Sequence, residues 1–173
     1  MSRPGAVTFK GTPLTLAGEA VKVGQSAPDF TLHYFEGGLK TIKLADLKGK
    51  PSFISVVPSL DTPVCQIQTK KFNEQLAGLA DKINAVTVSL DLPFSMNRFC
   101  GAESIKNMRV GSDYQDRNFG KSYGMLIEEL KLLARGVIVL DKDGKIVYAE
   151  TVKEVASEPN YDAALAALKS VAA

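Results

Sequence analysis

Two short apolar runs, PSFISVVP (51–58) and INAVTVSLD (83–91), bracket a stretch patterned as a helix, and that order leaves few folds open to the chain. Both runs have strand length and are rich in apolar and β-branched residues, the mark of buried strands. Between them Val64, Ile67, Phe72, Leu76 and Leu79 fall close to a helical stripe. A strand, a helix and a second strand in succession make parallel neighbours joined by a right-handed crossover.

The flanking segments extend this unit. VTFKGTPLTLA (7–17) alternates on either side of Gly11-Thr12-Pro13, which predicts a hairpin. APDFTL (27–32) and LKTIKLADL (39–47) give short extended pieces around Gly37-Gly38. A helical region is expected over 94–103, followed by the polar, glycine-containing stretch RVGSDYQDRNFGKSYG (109–124). GVIVLDKDGKIVYAETV (136–152) then places two alternating strands around an Asp-Gly turn, hence an antiparallel hairpin. Tyr161, Leu165, Leu168 and Val171 form a closing helical stripe. A parallel unit, an antiparallel hairpin and a last helix are the order of an α/β, thioredoxin-like fold: a central mixed sheet flanked by helices, here with an N-terminal β-hairpin. No repeat, linker or low-complexity segment interrupts it, so residues 1–173 are expected to form a single domain.

Composition narrows the function classes. Apolar content of 45% and charged content of 23% are those of a globular protein, and a net charge of +2 is too small for an electrostatic binder. The basic run KTIKLADLKGK (40–50) alternates with apolar residues and has no aromatic platform, which fits a solvated strand and turn rather than a nucleic-acid surface. No stretch approaches the ~20 apolar residues of a membrane helix. The N-terminal residues lack the apolar core of a signal peptide, so a cytoplasmic, reducing location is expected. There, two cysteines are free thiols or a transient catalytic disulfide rather than a permanent staple. With the single His33 they fall short of a zinc site, and they are too far apart for Cys-x-x-Cys chemistry. His33 is expected to pack beside DFTL. The DKDG segment (141–144) is expected to be a hairpin turn, because Lys145 and Val152 stand where calcium ligands belong.

Cys65 occupies the strand-to-helix junction. With the helix starting at Pro63, whose missing N–H suits the first position, Thr62 is the N-cap and Cys65 the third helical residue. The Thr62 hydroxyl is expected to accept from the N–H of the second or third residue. A cysteine thus stands where an anion is favoured, since the helix dipole and free N–H groups stabilise thiolate over thiol. The same position suits a small buried apolar residue. The local stretch alone does not choose between the two.

PSLDTPVC (58–65) carries Pro58, Thr62 and Cys65 in the Pro-x-x-x-Thr-x-x-Cys pattern and resembles the peroxiredoxin signature. APDFTL and LADLKGKPSFISVVPS (44–59) are similar to the segments that precede it in that family. SLDLPFSMNRFCGAE (89–103) resembles the segment that carries the second cysteine in the bacterial thiol peroxidase subfamily, and both chain ends are similar to that subfamily too. The resemblance covers nearly the whole chain.

It implies a set of roles. Cys65 would be the peroxidatic cysteine, attacking the terminal oxygen of a hydroperoxide to give a sulfenic acid. Thr62 would hydrogen-bond the peroxide oxygens and the thiolate, and Pro58 would wall the sulfur from water. Arg135, in LLARGVIVL (132–140), matches the family's strand arginine. A guanidinium suits that role because it stays charged. Read without the family, Arg135 is rather an arginine flanking a buried strand and held by a surface carboxylate. Cys100 would be the resolving cysteine, condensing with the sulfenic acid into an intramolecular disulfide. The resemblance further implies thioredoxin as reductant, itself reduced by thioredoxin reductase and NADPH, a homodimer, and no metal, haem or flavin cofactor.

Parallel strands deliver both cysteine segments to one edge of the sheet. Cys100 nonetheless lies about one to two helical turns beyond that edge, and a disulfide needs Cα atoms within ~7 Å. The sulfurs are therefore expected to be apart when reduced, with local unwinding at either segment, eased by Pro63 and Gly101, needed for the bond. A redox relay that passes its disulfide to a partner would use the same two cysteines. A thioredoxin-fold interaction module with inert thiols would show no oxidation at low peroxide.

Overall fold

The computed structural model describes residues 1–172, and its first elements are strands. β1 (Ser2–Phe9) and β2 (Thr12–Ala17) form the expected hairpin, but it begins nearer the N-terminus and its turn is the pair Lys10-Gly11. Both turn residues have positive φ, 49° and 83°, the geometry that matches strand twist in a two-residue loop. Thr12 and Pro13 are consequently strand residues rather than turn. β3 (Thr31–Phe35) and β4 (Leu39–Lys43) pair antiparallel about Gly37-Gly38. Residues 27–30 do not join the strand as the sequence suggested. A short 3-10 turn (Leu44–Leu47) leads to β5 (Ser52–Val56), every residue of which is buried.

The central unit has the expected form. α1 (Pro63–Gln75) carries the chain from β5 to β6 (Asn84–Ser89), and the two strands pair in parallel. α2 (Pro93–Ala102) follows. The polar stretch after it is not a loop. It contains β7 (Arg109–Ser112), parallel to β6, and the short α3 (Asn118–Ser122). The buried Asp113 accepts from the N–H groups of Phe119 (3.0 Å) and Gly120 (2.8 Å), tying β7 to α3. Burial pushes its carboxyl up to about 6 despite those bonds. β8 (Leu126–Ile127) and β9 (Leu132–Leu133), which the sequence did not reveal, precede β10 (Gly136–Leu140) and β11 (Ile146–Thr151). Asp141 accepts from the N–H groups of Asp143 and Lys145, so DKDG is a hairpin turn. α4 (Tyr161–Val171) closes the fold, with Asn160 as its N-cap accepting from Ala163.

Seven strands make one mixed sheet in the order β11-β10-β5-β6-β7-β3-β4, and β1-β2-β8-β9 make a smaller sheet. Alternation along the strands splits the core. Phe53, Ala85, Val137 and Val139 join the cluster under α1, α2 and α4, while Ile54, Val56, Val86 and Ile138 join the one under the hairpin sheet and α3. On the helix side Phe53 and Phe72 meet edge to face at 4.7 Å. Truncating the fully buried Phe72 to alanine costs about 3–5 kcal/mol by the usual cavity cost. His33 packs within β3 beside Tyr114, edge to face at 5.6 Å. Among the described residues no helix is long and apolar enough to cross a membrane.

One face was misjudged from sequence. The inward line of α1 is Cys65, Gln68, Thr69, Phe72 and Leu76, while Ile67 is 44% exposed. The two buried polar side chains on this line are paired, as burial requires. Thr69 Oγ1 donates to the Cys65 carbonyl at 2.8 Å, and Gln68 bridges two other partners described below.

Candidate active site

β5 ends at the sheet's C-terminal edge, and residues 57–62 turn back into α1. Thr62 is the N-cap residue, extended at φ −98° and ψ 148°, with Pro63 first in the helix and Cys65 third. Its hydroxyl does not accept from the helix. It donates instead to the Ser59 carbonyl at 3.0 Å, which the Thr62 N–H also approaches at 3.2 Å. The first helical bond runs from Gln66 N–H to the Thr62 carbonyl at 3.0 Å. The N–H groups of Val64 and Cys65 thus lie ahead of the helical ladder, available to an anion.

Arg135 immediately precedes β10 and is 2% exposed. Its Nε donates to the Val155 carbonyl at 2.8 Å, its Nη1 to Gln68 Oε1 at 3.0 Å, and its Nη2 to Cys65 Sγ at 3.3 Å. Gln68 is held in turn, its Nε2 donating to Ser55 Oγ at 2.8 Å. Gly136 permits the close approach that sets Arg135 here, since a Cβ on it would collide with the Glu150 carbonyl of β11. Among the described residues the ion pairs are Lys70–Glu103 and Lys71–Glu158, and neither involves Arg135. The surface-carboxylate reading of this arginine therefore fails. A buried guanidinium whose partners are a carbonyl, an amide and a thiol leaves its charge to favour an anion on sulfur.

Pro58, Thr62 and Arg135 line one cavity of about 330 Å³, together with Leu130, Leu132 and the hairpin's Phe9. Its walls are mostly apolar. Cys65, fully buried, does not line it but takes a bond from Arg135, which does.

Cys100 stands apart from this constellation, in the last turn of α2, half-buried against the same helix-side cluster that contains Cys65. Burial pushes its thiol up to about 11. The two cysteines are free thiols, not bonded to one another. Four of the five residues singled out from sequence thus meet at one place, and the fifth lies on the neighbouring helix. Gln68 and the hairpin tip were missed. Gln68 carries no local signal, because its burial depends on Arg135, 67 residues away.

The redoxin family model matches residues 22–165. The chain is 50% identical over 165 residues to a thiol peroxidase of Bacillus subtilis, covering 95% of this chain and 97% of that protein. It is 49% identical over 165 residues to a thiol peroxidase of Streptococcus pneumoniae, covering 95% and 99%. Among solved structures, a peroxiredoxin-like protein from Aquifex aeolicus superposes with a TM-score of 0.88 at 40% identity, covering 96% of this chain and 97% of that one. A thiol peroxidase from Chromobacterium violaceum shares the fold at a TM-score of 0.84 and 20% identity, covering 95% of each chain.

Proposed function

Because the chain belongs to the redoxin family, as one of its peroxiredoxin-type peroxidases, we propose that it reduces hydroperoxides with Cys65 as the attacking thiolate and Cys100 as the resolving thiol. The observation that carries this reading is the Arg135 guanidinium 3.3 Å from the Cys65 sulfur at a helix N-terminus.

The Cys65 thiolate attacks the terminal oxygen of the hydroperoxide, and the O–O bond breaks as the S–O bond forms. The departing alkoxide takes a proton and leaves as alcohol, or as water from hydrogen peroxide. Arg135 and the N–H groups of Val64 and Cys65 donate to the charge that develops on the oxygens, the same device as an oxyanion hole. Thr62 turns its hydroxyl from the Ser59 carbonyl toward the peroxide, and Pro58 keeps bulk water off the sulfur. The Cys100 thiolate then attacks the Cys65 sulfenic sulfur. The S–S bond forms, the S–O bond breaks, and hydroxide leaves as water with one proton.

A dithiol protein of the thioredoxin type, recharged by a reductase and NADPH, returns both thiols. An apolar cavity of about 330 Å³ supports alkyl and lipid hydroperoxides as well as hydrogen peroxide, since a water-sized molecule needs only about 30 Å³. A cytoplasmic homodimer acting in antioxidant defence completes the proposal.

The test is intact mass after one equivalent of cumene hydroperoxide, with thiol alkylation and peptide mapping. Loss of two hydrogens, no alkylated thiol and a Cys65–Cys100 peptide are expected. Two alkylated thiols on an unchanged chain would overturn the reading.

A further inference from the structure

Asp91 sits between the two cysteine segments, touching neither sulfur, Arg135 nor the cavity. It stands just past β6 and two residues before Pro93 opens α2. Its carboxylate collects donors from both sides. Oδ1 accepts from Ser59 Oγ at 2.7 Å, while Oδ2 accepts from the Leu60 N–H at 2.8 Å and Ser89 Oγ at 2.7 Å. Its N–H donates to Ser89 Oγ at 3.1 Å and its carbonyl accepts from Ser112 Oγ, which ties it to β7. No lysine or arginine among the described residues pairs with it, so its charge is held by neutral donors alone.

Ser59 passes the hold onward. Its carbonyl receives both the hydroxyl and the N–H of Thr62, and its own hydroxyl accepts from the Asp61 N–H at 3.2 Å. One carboxylate therefore fixes the loop that sets Thr62 and the first turn at Cys65, and also the entrance to the helix that carries Cys100.

We infer that Asp91 is a clasp, a positioning residue that holds the closed, peroxide-reducing geometry and whose release frees both cysteine segments to meet. This rests on the peroxidase reading above. The clasp then sets a competition at the Cys65 sulfenic acid. While closed, that sulfur can attack a second hydroperoxide, break its O–O bond and release another alcohol, leaving a sulfinic acid. Once open, it meets Cys100 and forms the disulfide. Weakening the clasp should slow the first oxidation but speed disulfide formation, so that the sulfinic share falls.

The test uses Asp91→Asn, which keeps the size but loses the charge and one acceptor, and Ser59→Ala, which removes a single donor and so guards against a folding failure. Rapid quenching with cumene hydroperoxide on a Cys100→Ser background reads the first step. A peroxide titration of the two-cysteine protein, read by mass, gives the ratio of sulfinic acid to disulfide. For Asp91→Asn, loss of about one charge-assisted bond predicts about tenfold slower Cys65 oxidation and a sulfinic share several-fold lower. Ser59→Ala should move both in the same directions by about threefold. Equal slowing of both steps, or a lower melting temperature with an unchanged ratio, overturns the clasp. An unmodified wild-type chain after peroxide instead overturns the peroxidase reading, whatever the variants do.

Discussion

The two cysteines occupy opposite ends of two neighbouring helices, and their surroundings differ accordingly. Cys65 is the third residue of α1, where free N–H groups and the positive end of the helix dipole face it, and it receives a bond from Arg135. Cys100 is in the last turn of α2, where the dipole disfavours an anion, and burial among apolar residues pushes its thiol up to about 11. Burial as such does not decide thiol chemistry: the fully buried sulfur has a cation on it, and the half-buried one is the protected thiol. What the fold varies is the charge and the dipole end that each sulfur meets.

The largest expected effect separates them outright. In Cys100→Ser, Cys65 should still be oxidised at the wild-type rate in a single turnover. In Cys65→Ser, the remaining Cys100 should react with hydroperoxide at least about 10³-fold more slowly, since only the thiolate attacks and almost none is present at neutral pH. Comparable rates of thiol loss in the two variants would erase the distinction. Next in size is Arg135→Lys, expected to slow Cys65 oxidation about 10²-fold, as loss of an oriented donor does elsewhere. A lysine keeps charge but not the fork that reaches Val155, Gln68 and Cys65 at once. A wild-type rate in this variant would mean that charge alone suffices.

These effects fall on parts of the chain that were unequally legible. β5, α1 and β6 could be read because apolar periodicity and the order strand, helix, strand leave one arrangement. The start of α1 could be read because Thr-Pro has a definite place at a helix N-terminus, although the Thr62 hydroxyl chose a carbonyl over the helix. β7 could not be read. It has four residues including Gly111, whose missing side chain leaves room for Leu32, since a Cβ there would lie 2.8 Å from Leu32 Cδ1 and 3.0 Å from its Cβ. Pairing with β6 supplies what its own propensity lacks. Arg135 was visible only through family resemblance, since nothing local says which way a strand arginine points. The inward face of α1 was misread because apolar counting ignores Gln68 and Thr69, and their burial is made possible by partners elsewhere in the chain.

Gln68 sharpens the comparison at intermediate size. Gln68→Leu keeps the helix but leaves Arg135 Nη1 and Ser55 Oγ without their partner, costing about 1–3 kcal/mol of stability for the unsatisfied donor. Oxidation of Cys65 should slow about tenfold as the guanidinium loses its fixed position, while the reactivity of Cys100 stays unchanged. Gln68→Glu should slow Cys65 oxidation too, by another route, because a carboxylate pairs with Arg135 and competes with sulfur for its charge. A drop in Cys65 rate in both variants with normal Cys100 alkylation supports the positioning role; equal loss at both thiols would make Gln68 a core residue only.

The smallest effect is a slope against pH in the second step. The Cys100 thiol is raised from its ordinary 9.0 to about 11 by burial alone. A group raised on folding contributes stability that is fully present below 9.0 and lost as pH passes through about 11, so alkaline pH favours the opened segment. If α2 is already unwound in the sulfenic-acid form, Cys100 titrates as an exposed thiol, and disulfide formation should rise between pH 7.5 and 9 and level off near its ordinary value. Attack from the intact helix would instead keep the rate climbing tenfold per pH unit until about 11. Stopped-flow oxidation with one equivalent of hydroperoxide, quenched by acid and read by mass, separates the two. A plateau near 9 makes unwinding the route between the two sites. A climb through pH 10 means that α2 stays folded in the sulfenic-acid form, and the contrast between the thiols then persists into the second step.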